Sequence, residues 1–203
     1  MTEQPGWIKL AQGRDGAVLQ AGGAWTVEYA ADLDRQVEAL PKDGGAQVLE
    51  LGEIAAIDTA TGAVINSFQP KPDATVRAIV ATSDTVYMGG LRTSVSGTGR
   101  TRVAAVKAAD GSLLSWAPNA QGGSVHSLAM SPDGSQLIIG GSFATMNGSS
   151  NPGYGLAAVS PSTGASLPFP ANNLIRNAGA NAAITGLSVD SDSLYASGFV
   201  FGA

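Results

Sequence analysis

Val125-His126-Ser127-Leu128-Ala129 runs through Pro132-Asp133-Gly134 to Ile138-Ile139-Gly140-Gly141, and Leu156-Ala157-Ala158-Val159-Ser160 then runs to Gly164. Three short apolar runs bounded by turn residues read as three strands. Asp133 and Gly134 suit the first turn, because Asp can bond its own backbone and Gly supplies positive φ. The pattern recurs on both sides. Upstream, Val76-Arg77-Ala78-Ile79-Val80 leads past Ser83-Asp84 to Tyr87-Met88-Gly89-Gly90. Downstream, Ile184-Thr185-Gly186-Leu187-Ser188 leads past Ser191-Asp192 to Tyr195-Ala196-Ser197-Gly198. Gly90, Gly141 and Gly198 are 51 and 57 residues apart.

A second anchor keeps the same period. Ile54-Ala55-Ala56-Ile57-Asp58 leads to Gly62, and Val103-Ala104-Ala105-Val106-Lys107 leads to Gly111, as Leu156 to Ser160 leads to Gly164. Gly62, Gly111 and Gly164 are therefore expected to be structural turns. Each is followed by a short strand ending at proline: Phe68-Gln69-Pro70, Trp116-Ala117-Pro118 and Phe169-Pro170.

Each unit of about fifty residues thus holds four short strands, the signature of a β-propeller blade. In the first complete unit the strands fall at 76–82, 85–92, 102–108 and 112–117. Complete blades are expected at 76–118 and 125–170, with half blades at 54–70 and 184–201. This makes about three blade equivalents. Ser131-Pro132-Asp133-Gly134-Ser135 before Gly140-Gly141-Ser142-Phe143, and Leu156 to Val159 before Thr163-Gly164, resemble bacterial propeller repeats of the YVTN or quinoprotein-like class. That resemblance covers nearly all of 54–203. It implies a scaffold rather than an activity. The tryptophan-docking motifs of quinoproteins are not evident, so no bound quinone or other cofactor is expected.

Charge sets this array apart from what precedes it. Residues 1–53 carry 13 charged side chains, nine acidic and four basic. Residues 54–203 carry 14 in 150 positions, seven of each sign, and no Glu follows Glu53. Typical domains are about one quarter charged, so only the second part is charge-poor. Stacked sheets that bury both faces of most strands account for that.

The first part predicts a small α/β segment. Trp7 to Leu10 and Ala17 to Gln20 alternate as strands around a Gly13-Arg14-Asp15-Gly16 turn. Thr26 can cap a helix whose apolar stripe is Ala30, Leu33, Val37 and Leu40. Val48-Leu49-Glu50-Leu51 is the next strand. Trp25-Thr26-Val27, Ala30-Ala31-Asp32-Leu33-Asp34, Val48 to Leu51 and Ile57-Asp58-Thr59-Ala60 resemble the N-terminal half of a STAS domain, of the type associated with lipid-transport ABC permeases. The resemblance implies that Thr59, beside Asp58, is a phosphorylated or partner-contacting position, with a transporter ATPase or permease as partner. Glu50-Leu51-Gly52-Glu53 departs from the Asp-Leu-Ser-Gly usual there, and the later elements of the family are missing.

Ile57 to Gly62 satisfies both patterns. The STAS pattern opens a helix at Asp58-Thr59; the repeat pattern makes the same residues a turn, which the β-like downstream sequence favours. A natural fusion, a truncated or misjoined reading frame and an artificial sequence all remain open.

Chemistry is easier to exclude than to assign. With no Cys there is no disulfide, thiol nucleophile or Cys-ligated metal, and one histidine, His126, makes no His-rich metal site. The net charge of −5 argues against a basic nucleic-acid surface. No apolar run reaches the length of a spanning helix. His126 lies on a strand with no catalytic partner placed by sequence. Asp190-Ser191-Asp192 lacks the spaced acids of a Ca²⁺ loop. Ser96-Gly97-Thr98-Gly99-Arg100 is expected to be a flexible loop, and Arg92, Arg100 and Arg102 a solvated edge. Asn147-Gly148-Ser149 fits a glycosylation tripeptide with no secretory signal upstream. The leading expectation is a non-catalytic scaffold for a protein or small ligand, able to form homo-oligomers through open propeller edges. The alternative is a regulatory STAS module. Met1 to Pro5 lacks a signal peptide, so the cytoplasm is expected, whereas propeller relatives are exported.

Overall fold

The computed structural model describes residues 7–13, 16–22, 54–91, 93–176 and 182–200. The chain divides into two compact units, Met1–Glu50 and Leu51–Ala203.

In the first unit, β1 (Trp7–Gly13) and β2 (Gly16–Gly22) form an antiparallel hairpin, with Leu10 opposite Leu19. The helix expected after Thr26 and the strand at Val48 lie outside the described residues.

Among the described residues, the regular structure of the second unit is almost wholly antiparallel strand. β3 (Val76–Ala81), β4 (Thr85–Gly90) and β7 (Val103–Lys107) make a three-stranded sheet. β9 (Val125–Met130), β10 (Leu137–Gly141), β12 (Leu156–Val159) and β13 (Ser166–Leu167) make a four-stranded one. β14 (Ala182–Val189) pairs with β15 (Leu194–Val200). A single 3-10 turn, Pro170–Asn173, is the only helical element among the described residues.

The four-strand units expected from sequence are met in full once, at 125–167. The strand expected at 112–117 shrinks to one bridge, Val106 to Leu113, and the pair expected within 54–70 to one bridge, Ile57 to Val64. Each of these segments leads to a proline, Pro70 or Pro118, which has no N–H to extend a ladder. No closed ring of sheets forms among the described residues.

Two short pairings add to the strands expected from sequence. β5 (Thr93–Val95) pairs with β6 (Thr98–Arg100), so the segment expected to be a flexible loop is an ordered hairpin. β8 (Ala120–Gln121) pairs with β11 (Thr145–Met146). The turns Ser96-Gly97 and Asn147-Gly148 both place two successive residues at positive φ, the geometry of a tight type I′ hairpin.

Apolar side chains on both faces explain the low charge. Val86, Met88, Ala104 and Val106 face one way, against Phe68, Ile54 and Ala56. Their neighbours Tyr87, Val103 and Ala105 face the other way, against Val125, Leu128, Leu137, Ile139, Ala157 and Val159. Ile138 and Leu156, on the far face of that sheet, meet Ile184, Leu187 and Leu194. Successive sheets therefore stack face to face, and a strand with two buried faces has little place for charge.

Repeated glycines permit the stacking. A Cβ at Gly140 would lie 2.6 Å from Ser127 Oγ and 3.0 Å from Ile184 Cγ2. Gly89, at the equivalent position one sheet earlier, lies under Val125 and Leu128. The bare backbone lets an apolar side chain of the next sheet settle on the strand.

The three glycines expected as turns adopt that role, and two of them also join successive repeats. Gly62, Gly111 and Gly164 have φ of +72°, +75° and +77°, and each donates its N–H to the carbonyl four residues back. A Cβ at Gly111 would lie 2.6 Å from Pro70 N, and one at Gly164 3.0 Å from Pro118 Cγ. The Phe-Gln-Pro and Trp-Ala-Pro segments thus end against the next unit's turn. Gln69 N–H donates to Asp110 O at 3.1 Å, and Trp116 Nε1–H to Ser160 O at 3.0 Å.

Candidate functional site

The strands that begin the three sheets share an irregularity. On β3 the ladder passes from Val76 opposite Gly90 to Ala78 opposite Gly89, leaving Arg77 without a partner. On β9 it passes from Val125 opposite Gly141 to Ser127 opposite Gly140, leaving His126. On β14 it passes from Ile184 opposite Gly198 to Gly186 opposite Ser197, leaving Thr185. Each is a β-bulge, which bends the strand and re-aims one side chain. A Cβ at Gly90, Gly141 or Gly198 would run into the carbonyl oxygen of Thr75, Ser124 or Ala183. The glycine that ends each Gly-Gly or Ser-Gly pair is what allows the bulged strand to come so close.

Arg77, His126 and Thr185 therefore hold one position on three successive sheets. The first two touch: Arg77 Nη1 lies 2.9 Å from His126 Nδ1. A guanidinium has no acceptor, so Arg77 donates and His126 Nδ1 accepts. The imidazole is neutral, with its proton on Nε2. Burial, and secondly the Arg77 charge, push its pKa below the ordinary 6.5. Arg77 and Thr185 are exposed and His126 is half-buried.

The residues expected to be functional lie elsewhere. Asp58 and Thr59 are exposed on the first turn of the second unit. Asp58 Oδ1 accepts from the N–H of Ala60 and Thr61 and from Thr61 Oγ1, at 2.8–2.9 Å. These bonds, led by the Thr61 N–H, hold its carboxyl below the usual range. A turn occupies 59–61, where the STAS pattern would open a helix. Asp133 is likewise turned inward on its own loop, with Gly134 at φ +71°. It accepts from Ser131 Oγ and from the Ser135 N–H and hydroxyl, which bring its pKa to about 2. Asp190 accepts from Asp192 N, Ser193 N and Tyr195 Oη. No His/Cys/Asp/Glu group that could hold a metal occurs among the described residues.

One surface reading is corrected. Arg100 and Arg102, expected at a solvated edge, are half-buried and donate to the carbonyls of Leu114 and Ala120; Arg92 lies outside the described residues. Asn147, in the glycosylation tripeptide, has its side chain engaged. Its Oδ1 accepts from Asn119 N at 2.8 Å, and its Nδ2 donates to Gly164 O and Ser166 Oγ.

A cleft of about 360 Å³ opens between the first two sheets, lined by Tyr87, Leu114, Trp116, Pro161 and Ser162 among others. Tyr87 and Trp116 meet edge to face at 5.1 Å. Both polar tips are engaged by backbone, Tyr87 Oη by Pro161 O and Trp116 Nε1 by Ser160 O. The aromatic walls are thus fixed by the packing of two neighbouring repeats.

Of the three, only His126 stands out in the sequence, as its single histidine. The available signal was the repeated Gly-Gly or Ser-Gly pair on the partner strand, whose two residues stand opposite the neighbours of each bulged residue.

No family model, curated protein or solved structure matches this chain. No helix among the described residues is long and apolar enough to cross a membrane.

Proposed function

We propose that residues 54–203 are a β-propeller segment acting as a non-catalytic scaffold that binds a small ligand or a protein through the bulged side chains Arg77, His126 and Thr185. One observation carries this reading: the same bulge recurs in three units with a different polar side chain each time. A bulge needed only for curvature could carry any residue. Three polar residues at one register make a surface that can be read. The four-strand order of β9, β10, β12 and β13 and the face-to-face stacking support the propeller part.

The test is ligand-induced thermal stabilisation across panels of small acids, sugars and peptides, with Arg77→Gln and His126→Gln alongside. The reading expects a ligand whose stabilisation falls in both variants and which is recovered unchanged. A ligand that stabilises all three proteins equally, or one that is turned over, contradicts it.

A second reading has its own observation. Met1–Glu50 is compact in itself, which suits a separate regulatory STAS module with a transporter subunit as partner. Deleting residues 1–53 tests it: transporter binding should vanish while the β signature of the remainder persists.

A further inference from the structure

We infer that Arg77, His126 and Thr185 form an oxyanion-recognition row that takes the carboxylate or phosphate group of a ligand. This rests on the ligand-binding reading above and names the chemistry it would recognise.

The donors are specific. Arg77 uses Nη1 on His126, and a guanidinium carries five N–H donors in a planar fork that matches a carboxylate or phosphate. No carboxylate pairs with it among the described residues. Because His126 Nδ1 accepts from Arg77, its other ring nitrogen, Nε2, carries a proton and is a donor. Thr185 adds a hydroxyl at the same register of the next sheet. A cation and two neutral donors thus occupy equivalent places on successive sheets.

The surroundings favour the same ligand. Residues 54–203 carry equal numbers of acids and bases. The acids Asp58, Asp133 and Asp190 each commit at least one carboxylate oxygen to their own turns. The arginine contact also sets the direction of the imidazole. Arg77 anchors Nδ1, so the ring cannot present an acceptor to a ligand at that atom. The row is therefore built to donate, which suits an anion better than a sugar hydroxyl or a cation.

The single histidine makes the test direct, because only one set of imidazole signals exists. ¹⁵N-labelled full-length protein is titrated with succinate and, separately, with inorganic phosphate. Chloride at matched ionic strength is the control, and pH is held neutral. Saturable movement of the His126 Nε2 signal with either anion, absent with chloride, is expected, and whichever anion saturates at lower concentration identifies the ligand group. Arg77→Gln should weaken that binding about tenfold or more, the loss of one charge-assisted bond, with its β circular dichroism unchanged. Arg77→Lys should fall between the two. Linear movement with both anions, or equal affinity in Arg77→Gln, overturns the inference. If other ligands still lose affinity in Arg77→Gln while neither anion binds, only the anion class falls. If no ligand responds to Arg77, the scaffold reading falls with it.

Discussion

Arg77 and His126 occupy the same bulge on neighbouring sheets, and their side chains meet at 2.9 Å. Burial lowers the His126 pKa first and the guanidinium lowers it further. Arg77→Gln should move that pKa part of the way back toward 6.5, seen in an NMR titration of the imidazole. The folded-state value lies below the unfolded one, so this pair's contribution is present above 6.5 and lost as pH falls through the folded value. In Arg77→Gln that loss should be smaller. An unchanged pKa would show that the two side chains do not meet in solution.

Acid should find Asp133. Its carboxyl is held near 2, led by the Ser131 hydroxyl and then by the Ser135 N–H. A depressed carboxyl contributes stability above its ordinary 3.8 and loses it as pH falls toward 2. Asp133→Asn should flatten the fall in melting temperature across that window. A fall as steep as that of the parent chain would show that the turn does not depend on the charge.

Asn172 is a completely buried polar side chain that ties two loops together. Its Oδ1 accepts from Gly153 N at 2.9 Å, and its Nδ2 donates to Tyr154 O and Ile175 O. Asn172→Ala strands these backbone groups and should cost about 2–3 kcal/mol in urea unfolding. A loss under about 0.5 kcal/mol, the level of an ordinary surface change, would mean the clasp is not formed.

Gly140 and Gly99 offer a matched comparison. Gly140 sits under Ile184, whereas a Cβ at Gly99 would meet open space. Gly140→Ala should destabilise by about 1–3 kcal/mol through overpacking. Gly99→Ala should lie within about 0.5 kcal/mol of the parent. Equal effects would argue against close stacking at β10.

How much was legible follows from where each signal resides. The turns at Gly62, Gly111 and Gly164 were visible because a positive-φ residue and its apolar run are local. The strands β3, β4, β9 and β10 were visible because their ends are marked by Asp and Gly. The contacts of Gly111 with Pro70 and of Gly164 with Pro118 were not, because each joins residues more than forty positions apart. The bulges at Arg77, His126 and Thr185 depend on what stands opposite, which a single strand's sequence does not state. Asn172 reads like any loop asparagine, since two of its partners, Gly153 and Tyr154, lie nearly twenty residues back. The ordered β5–β6 hairpin leaves little trace in the sequence because its strands are only three residues long. Asp58-Thr59 drew attention through its family pattern, but its bonds are those of a turn.

The face-to-face stacking of equivalent sheets is the claim on which the fold and the bulge row both depend. The most direct measurement is a methyl-resolved NOE experiment on the intact chain. The stacking predicts strong NOEs from Gly140 Hα to the Ile184 Cγ2 methyl and from Gly89 Hα to a Val125 methyl, one in each sheet junction. Absence of both, in a protein whose Gly140-to-Ser127 strand contacts are present, would contradict it.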